Sequence, residues 1–186
     1  MQNGIKPWSI HQSRIGYTKK WLSVKEEACQ LPDGRVIDPY LIIKVPDFCN
    51  IFMVTPKEEI VMVKQYRHAA GIITLELPGG MIEANEDPMI AAKREMVEET
   101  GYQTDQFELL YSVHPNPPLE SNYAYFYLAI AVESTGKTAY DPFEDIEIVL
   151  VPKEDFMQQL LAHSFKHGAQ VGAMYAAAIQ LGWLKV

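Results

Sequence analysis

The segment of residues 80–102 constrains the fold of this chain most strongly, because it combines helix-capping residues with closely spaced acids. Asp87 and Pro88 are typical of a helix N-terminus, and Gly101 is typical of a left-handed C-terminus. The residues between them are mostly strong helix formers. The sequence therefore predicts a helix over residues 88–100.

The acids of this helix are spaced for metal binding. With roughly 100° of rotation per residue, Glu95 and Glu99 lie one turn apart at the edge of an apolar stripe. That stripe consists of Met89, Ala92 and Met96. Carboxylates held together beside a core repel each other and lose hydration, and a hard cation such as Mg2+ relieves both effects. The alternative is a solvated acidic face stabilised by pairing of Arg94 with Glu98.

A wider pattern of spacings, G-x5-E-x7-R-E-U-x-E-E-x-G-U with U a bulky apolar residue, covers the same segment. It is filled by Gly80, Glu86, Arg94, Glu95, Met96, Glu98, Glu99, Gly101 and Tyr102. The pattern resembles the signature of the Nudix hydrolase family, and only Tyr102 departs from it, since an aliphatic residue is commoner there. The resemblance implies an α/β fold, the α/β/α sandwich with a mixed sheet, and cleavage of a nucleoside diphosphate linked to another group.

The resemblance also implies a metal site. The matches to Glu95 and Glu99 bind metal, Glu98 assists as a ligand and in catalysis, and the backbone carbonyl of Gly79 completes the shell. Two or three Mg2+ ions per site are implied, with Mn2+ as an alternative. Water would attack one phosphorus in line, without a covalent enzyme intermediate.

Other positions of the motif support this site. Arg94 counts among the catalytic residues because its counterpart orients the glutamates through salt bridges, Glu86 included. Gly80, Glu86 and Gly101 are structural members of the motif.

The base that deprotonates the attacking water must come from elsewhere if the helix glutamates hold metal. Glu144 is the first candidate, because Glu144, Asp145 and Ile146 resemble the family's Glu-Asp-Ile segment, which brings a late glutamate to the metals. Asp141 and Glu120 are alternatives. The alternative role for Glu144 is that of a metal ligand.

The flanks resemble the ADP-ribose pyrophosphatase branch, also called nucleoside-diphosphate-sugar hydrolases. Gln-Tyr-Arg ends at Arg67, and Glu-Leu-Pro-Gly-Gly begins at Glu76, with Gly79 where that branch has alanine. In the family, a proline downstream of the motif is associated with ADP-ribose preference, and Pro117 and Pro118 lie at that place. Arg67 is a candidate for a bidentate phosphate contact, or else a surface arginine. Glu76 either bonds a base or ribose hydroxyl or is a plain strand-end carboxylate, and Pro118 would form a wall against the terminal sugar.

The predicted activity is thus Mg2+-dependent hydrolysis of ADP-ribose or a related nucleoside-diphosphate sugar. One alternative is a GDP-mannose hydrolase or a broader nucleoside-diphosphate-sugar hydrolase. Another is a non-catalytic nucleotide sensor of the same fold. Sensors tend to lose the motif glutamates, which are all present here.

Residues 1–45 are predicted to form a small β unit ahead of a Nudix domain at residues 46–186. Strand patterns over residues 17–30 and 35–45 predict a hairpin. Its aromatic residues are Trp8, Tyr17 and Trp21. They either pack on the rest of the chain or form a dimer contact or a base-stacking platform, with Trp21 as the substrate-binding candidate. The family resemblance favours a homodimer.

Charge and apolar patterning narrow the partners. The net charge of −8, without a basic patch, argues against extended nucleic acid. The sequence contains neither an apolar stretch long enough for a membrane span nor an N-terminal signal core. Cys29 and Cys49 are expected to be free thiols, and a cytoplasmic location is expected.

Overall fold

The computed structural model describes residues 4–140 and 145–185, and these fall into two units. The first unit contains the described residues up to Pro46 together with His114–Tyr123, and the second contains Asp47–Val113 and the residues from Ala124 onward. The division at residues 45 and 46 stays a prediction. The structure adds that a segment from the middle of the chain belongs with the N-terminal residues.

The first unit is an antiparallel sheet of three strands, in the order β1-β2-β3. The strands are β1 (Ser9–Lys19), β2 (Leu22–Gln30) and β3 (Val36–Lys44). The predicted hairpin was therefore incomplete, and residues 17–30 are not one strand. A turn at Lys20, with φ of 49°, separates β1 from β2. Every residue of β1 is exposed, so burial imposes no apolar alternation that would reveal the strand in the sequence.

The His114–Tyr123 segment is bonded to β3. The backbone N–H of Ile43 donates to the carbonyl of Leu119 at 2.8 Å. The hydroxyl of Tyr40 donates to the carbonyl of Pro118 at 2.6 Å. The proline-rich loop is thus held by hydrogen bonds from the N-terminal sheet as well as by its prolines.

The second unit contains a mixed sheet and three helices. Its elements, in chain order, are β4 (Phe48–Val54), β5 (Glu59–Arg67), β6 (Ile72–Glu76), α1 (Pro88–Thr100), β7 (Tyr102–Gln103), β8 (Phe107–Val113), β9 (Ala124–Ile130), β10 (Glu133–Ser134), β11 (Ile146–Pro152), α2 (Lys153–Leu161) and α3 (Gly168–Gln180). The six-stranded sheet has the order β11-β5-β4-β9-β8, with β6 paired to β5. Strands β4 and β9 run parallel and the other neighbours run antiparallel. The short strands β7 and β10 form a separate pair.

Helices cover both faces of this sheet. On one face, Ile51 of β4 shares a buried cluster with Met96 of α1. On the other, Phe52 shares a cluster with Phe156 of α2 and Met174 of α3. The almost continuous apolar run of β4 follows from this double burial. The predicted α/β/α arrangement with a mixed sheet is confirmed.

Helix α1 begins and ends where its capping residues predict. The side chain of Asp87 accepts hydrogen bonds from the N–H groups of Met89 and Ile90, and Gly101 has φ of 68°. Met89 is 40% exposed, so its predicted place in the core was wrong. The buried residues of the helix are Ala91, Ala92, Glu95, Met96, Glu99 and Thr100. Glu95 and Glu99 lie inside this arc instead of at its border, and Met89 lies close to the Thr100 end of the arc.

No helix among residues 4–140 and 145–185 is long and apolar enough to cross a membrane.

Candidate active site

Arg94, in the middle of α1, binds three glutamates at once. Its Nε and Nη2 donate to the two carboxylate oxygens of Glu86 at 2.9 and 3.0 Å. Its Nη1 donates to Oε1 of Glu95 at 2.8 Å and to Oε2 of Glu98 at 2.9 Å. Pairing of Arg94 with Glu98, the alternative to a metal site, is thus one contact within a larger network.

This network has electrostatic consequences. The hydrogen bond to Glu86 raises the pKa of Arg94, so the guanidinium stays charged. The same bond lowers the pKa of the Glu86 carboxyl. Oε2 of Glu86 also accepts from the backbone N–H of Glu83 at 3.0 Å, and Nη2 of Arg94 donates to the carbonyl of Met81 at 3.3 Å. Arg94 therefore ties the loop before the helix to the acidic face of the helix.

Two of the motif glutamates, Glu95 and Glu99, border the turn formed by Gly79 and Gly80. Both side chains belong to nearly buried residues, 8% and 4% exposed. Oε2 of Glu99 accepts from the N–H of Gly79 at 2.8 Å. A methyl group on Gly80 would lie 2.6 Å from both carboxylate oxygens of Glu95. The Glu95 carboxylate thus occupies space that is open only because residue 80 has no side chain.

The turn itself is paired with β4. The N–H of Ile51 donates to the carbonyl of Pro78, and the N–H of Cys49 donates to the carbonyl of Gly80, each at 2.9 Å. The acceptors of these two bonds are the carbonyls of the residues before and after Gly79. The Gly79 carbonyl takes no part in this pairing with β4. Gly79 has φ of 145°, and a Cβ there would collide with the backbone of β4, so this close approach requires glycine.

The donor set at this turn fits a hard cation. Among residues 4–140 and 145–185, no group of three or more His, Cys, Asp or Glu side chains is arranged to hold a metal by itself. Mg2+ at phosphate-handling sites needs less, because one or two carboxylates suffice when waters and substrate phosphates complete the octahedral shell. The carboxylates of Glu95 and Glu99, with the Gly79 carbonyl, are oxygen donors of that class.

A second polar cluster lies at the end of β6. Nε and Nη2 of Arg67 donate to the two carboxylate oxygens of Glu76 at 2.9 and 2.5 Å, and the hydroxyl of Thr74 also donates to Glu76. Nε2 of His167 lies 3.9 Å from the same carboxylate. Although burial acts to raise it, the pKa of Glu76 is lowered overall, because Arg67 and Thr74 hydrogen-bond the carboxylate.

The Glu76 side chain is completely buried, whereas 42% of the Arg67 side chain is exposed. This geometry favours the alternative in which the Glu76 carboxylate bonds other residues of the protein instead of a substrate hydroxyl. It holds the guanidinium of Arg67, and Arg67 is the member of the pair that reaches solvent.

The remaining candidates are placed as follows. Trp21 is 55% exposed in the first unit and, with Lys20, lines an open groove of about 370 Å³. Pro118 is exposed. Oε1 of Glu120 accepts from the amide of Asn116 at 3.3 Å. The candidate bases Glu144 and Asp141 lie outside the described residues.

Sequence reasoning missed two polar residues beside this site. The hydroxyl of Thr74 bonds Glu76, and Gln170, only 1% exposed, bonds the backbone of Leu77. Gln170 and Leu77 are 93 positions apart, so no local pattern signals their contact. Thr74 is the one that β-strand alternation could have placed beside Glu76, since the two side chains share a face of β6.

Comparisons with known proteins agree with this geometry. The family model described as the NUDIX domain matches residues 45–170, and that of the nucleoside diphosphate sugar hydrolase N-terminal domain matches residues 8–43. The ADP-sugar pyrophosphatase of Mus musculus is 30% identical over 180 residues, covering 93% of this chain and 78% of its own length. The ADP-ribose pyrophosphatase of Bacillus subtilis (strain 168) is 28% identical over 143 residues, covering 76% and 77%. The crystal structure of an ADP compounds hydrolase shares the fold, with a TM-score of 0.85 at 17% identity over 98% of both chains.

Proposed function

The chain belongs to the Nudix family, and from that premise we propose that it hydrolyses the diphosphate bond of ADP-ribose and related nucleoside-diphosphate sugars in a Mg2+-dependent reaction. With ADP-ribose the products are AMP and ribose 5-phosphate. The observation that carries the proposal is the Arg94 network, which gathers Glu86, Glu95 and Glu98 beside the Gly79 turn. The names of the relatives support the choice of substrate class.

In this proposal, Glu95, Glu99 and the carbonyl of Gly79 hold the metal, and Glu98 assists. Bound Mg2+ supplies charge neutralisation at the diphosphate and lowers the pKa of a bound water. Mn2+ is the alternative ion, and two or three ions per site remain the prediction. Arg94 keeps the carboxylates in place by its charged hydrogen bonds and makes no contact with substrate in this scheme.

Arg67 is proposed to bind a phosphate of the substrate. Its Nε and one hydrogen of Nη2 are used by Glu76, which fixes the plane of the guanidinium. Glu76 is the acceptor of these Arg67 bonds within residues 4–140 and 145–185, so Nη1 and the second hydrogen of Nη2 can bind a phosphate in a two-pronged contact that is compatible with the Glu76 pair. Glu76 then acts on substrate only through Arg67.

Trp21 and Pro118 stay predictions for the base and the terminal sugar. The exposed ring of Trp21 supports a stacking role, since stacking needs a free aromatic face. Glu144 stays the first candidate for the base that deprotonates water, with Asp141 and Glu120 as alternatives. A metal-ligand role is the other assignment for Glu144.

A substrate comparison tests the proposal. The purified protein is assayed with Mg2+ on ADP-ribose, GDP-mannose, a diadenosine polyphosphate and a nucleoside triphosphate, and the products are resolved by chromatography. We expect ADP-ribose to have the highest kcat/KM, with measurable turnover of other nucleoside-diphosphate sugars. A preference for GDP-mannose would shift the sugar and base assignment only.

Two other outcomes would count against the proposal. If the polyphosphate or the triphosphate is the best substrate, the branch assignment is wrong while the family stands. Tight binding of ADP-ribose without turnover of any compound, at saturating Mg2+ and Mn2+, would favour a nucleotide sensor.

A further inference from the structure

A buried side-chain amide joins the last helix to the proposed metal-binding turn. Gln170, in the first turn of α3, is 1% exposed. Its Oε1 accepts from the backbone N–H of Leu77 at 2.8 Å, and its Nε2 donates to the backbone carbonyl of Leu77 at 3.3 Å. The amide therefore satisfies both backbone groups of one residue, as a neighbouring β-strand would.

Leu77 is the residue at which strand pairing gives way to the turn. Strand β6 ends at Glu76, and the next three residues are Pro78, Gly79 and Gly80. Pro78 has no N–H, so it cannot extend a ladder. At the start of this turn, the backbone N–H and carbonyl of Leu77 both bond the Gln170 amide. The Asn50 amide makes a longer contact, 3.5 Å, with the same carbonyl.

From Leu77 the contacts run directly to the metal-binding groups. The Pro78 carbonyl accepts from Ile51 of β4 at 2.9 Å, and the Gly79 N–H donates to Glu99 at 2.8 Å. The position of Leu77 thus sets the direction of the Gly79 backbone. Gly79 carries both the carbonyl proposed as a metal ligand and, in the preceding peptide, the N–H that orients the Glu99 carboxylate.

Helix α3, which carries Gln170, is packed into the core. Its residues Ala173, Met174 and Ala177 are at most 1% exposed and lie in the core cluster that includes Phe52 of β4. If residue 170 only had to pack in the core, an apolar side chain would be sufficient. A glutamine at this point instead costs desolvation of an amide, which the two Leu77 bonds offset.

We propose that Gln170 is a positioning residue for the metal site, acting through the Leu77 backbone to set the Gly79 carbonyl and the Glu99 carboxylate. The proposal rests on the proposed function for the location of the metal. It gives α3, which lies outside the Nudix motif, a part in shaping the metal site. In this proposal Gln170 acts without contact to substrate or metal, so its effect must appear in metal affinity and turnover rather than in substrate recognition.

The test replaces Gln170 by Leu, which has a similar volume and no hydrogen-bonding group, and by Asn, which keeps the amide but is one methylene too short to make both bonds. Mn2+ binding without substrate is measured by the EPR signal of the free ion. Kinetics are measured with ADP-ribose at several Mg2+ concentrations. We expect the Kd for Mn2+ to rise about 10-fold. We expect kcat to fall about 10- to 100-fold, with KM at saturating Mg2+ within about 3-fold of wild type.

Two control variants separate positioning from general loss of stability. Gln180→Leu makes the same exchange at the other end of α3, where the side chain is exposed and bonds Glu108. Met174→Ala opens a cavity in the core face of α3 without touching Leu77. Both should keep the Mn2+ affinity of the wild type, although Met174→Ala should lower Tm at least as much as the Gln170 variants do.

Wild-type Mn2+ affinity and kcat in a folded Gln170→Leu protein would overturn the proposal. So would an equal loss of affinity in Met174→Ala. If Gln170→Leu does not fold, Gln170→Asn decides by the same criteria. If the wild type binds Mn2+ but cleaves no compound of the substrate comparison, the proposed function fails, and the Mn2+ measurement still decides the role of Gln170. If the wild type binds no Mn2+, the metal assignment and the role of Gln170 both fail.

Discussion

Gly80 lies directly against the carboxylate of Glu95, and a methyl group on its Cα would stand 2.6 Å from both carboxylate oxygens. In Gly80→Ala the Glu95 side chain must turn away, which also breaks its 2.8 Å bond to Arg94. We expect turnover of ADP-ribose to fall about 100-fold, because small displacements of metal-binding groups are costly to catalysis. Steady-state kinetics at saturating Mg2+ measure the effect, and circular dichroism checks the fold.

Gly168→Ala is the matched control, since a methyl group there meets no atom within 4 Å. Turnover of Gly80→Ala equal to that of Gly168→Ala would remove Glu95 from the site.

Exchange of Glu99 for Gln should separate metal binding from structure. The glutamine oxygen can still accept the hydrogen bond from the Gly79 N–H, so the turn should keep its shape. The negative ligand is lost, and we expect turnover to fall by about 100-fold or more. Glu133→Gln, at an exposed position of β10, serves as the control. Near-wild-type turnover of Glu99→Gln at saturating Mg2+ would contradict the metal assignment.

The Glu76 carboxylate should make stability depend on pH below neutrality. Its pKa is lowered in the folded protein, so its contribution is present above the ordinary carboxyl pKa of about 4.3 and is lost as the pH falls through the folded value. We expect Glu76→Gln to lower the free energy of unfolding by about 2 kcal/mol at pH 7. This deficit should shrink below about pH 4.

Urea unfolding of the wild type and Glu76→Gln between neutral and acidic pH measures that difference. Glu58→Gln is the control, because Glu58 pairs with Lys153 at an exposed position and should contribute little. A deficit that stays constant at every pH would show that ionisation of Glu76 is not its source.

Both cysteines should be unreactive in the native protein. Cys29 and Cys49 are free and buried, and burial raises the pKa of the Cys49 thiol to about 12. The thiolate is the reactive form, so iodoacetamide at pH 8 should modify neither residue until denaturant is added. Mass spectrometry of the alkylated protein counts the modified thiols. Rapid labelling of Cys49 without denaturant would contradict the burial of β4.

The exposed apolar residues of the first unit lead us to expect a homodimer. Ile15, Tyr17 and Trp21 are each more than half exposed in the single chain, at 70%, 54% and 55%. Exposed apolar residues grouped in one small unit are typical of an interface. Light scattering at micromolar concentrations should give twice the chain mass, and Ile15→Lys should shift it towards the monomer. A monomeric wild type would refute the expectation.

The sequence predicts α1 and its acids well because the relevant contacts are local. Asp87 caps N–H groups two and three residues away, and Gly101 bonds Val97 within the same helix. Spacing on one helix also brings Arg94 to Glu98, which is four residues later. Each of these contacts is fixed by helix geometry before any tertiary structure forms.

Contacts between distant segments could not be predicted in this way. The bond from Gln170 to Leu77 spans 93 positions. The completely buried carboxylate of Glu76 lies 3.9 Å from Nε2 of His167, a residue from a distant part of the chain that directly precedes α3. Strand β1 escaped prediction for another reason, because a strand exposed on both faces carries no burial pattern.

The pairing of the first unit with His114–Tyr123 limits how this architecture can be recombined. That segment leaves the second unit after β8 and returns to it at β9, and its carbonyls accept from Tyr40 and Ile43. The N-terminal sheet is therefore not a transferable module. A chimera that exchanges residues 1–46 alone would separate the N-terminal sheet from the His114–Tyr123 segment that it binds. During divergence, residues 1–46 and His114–Tyr123 must therefore change together or be inherited as a pair.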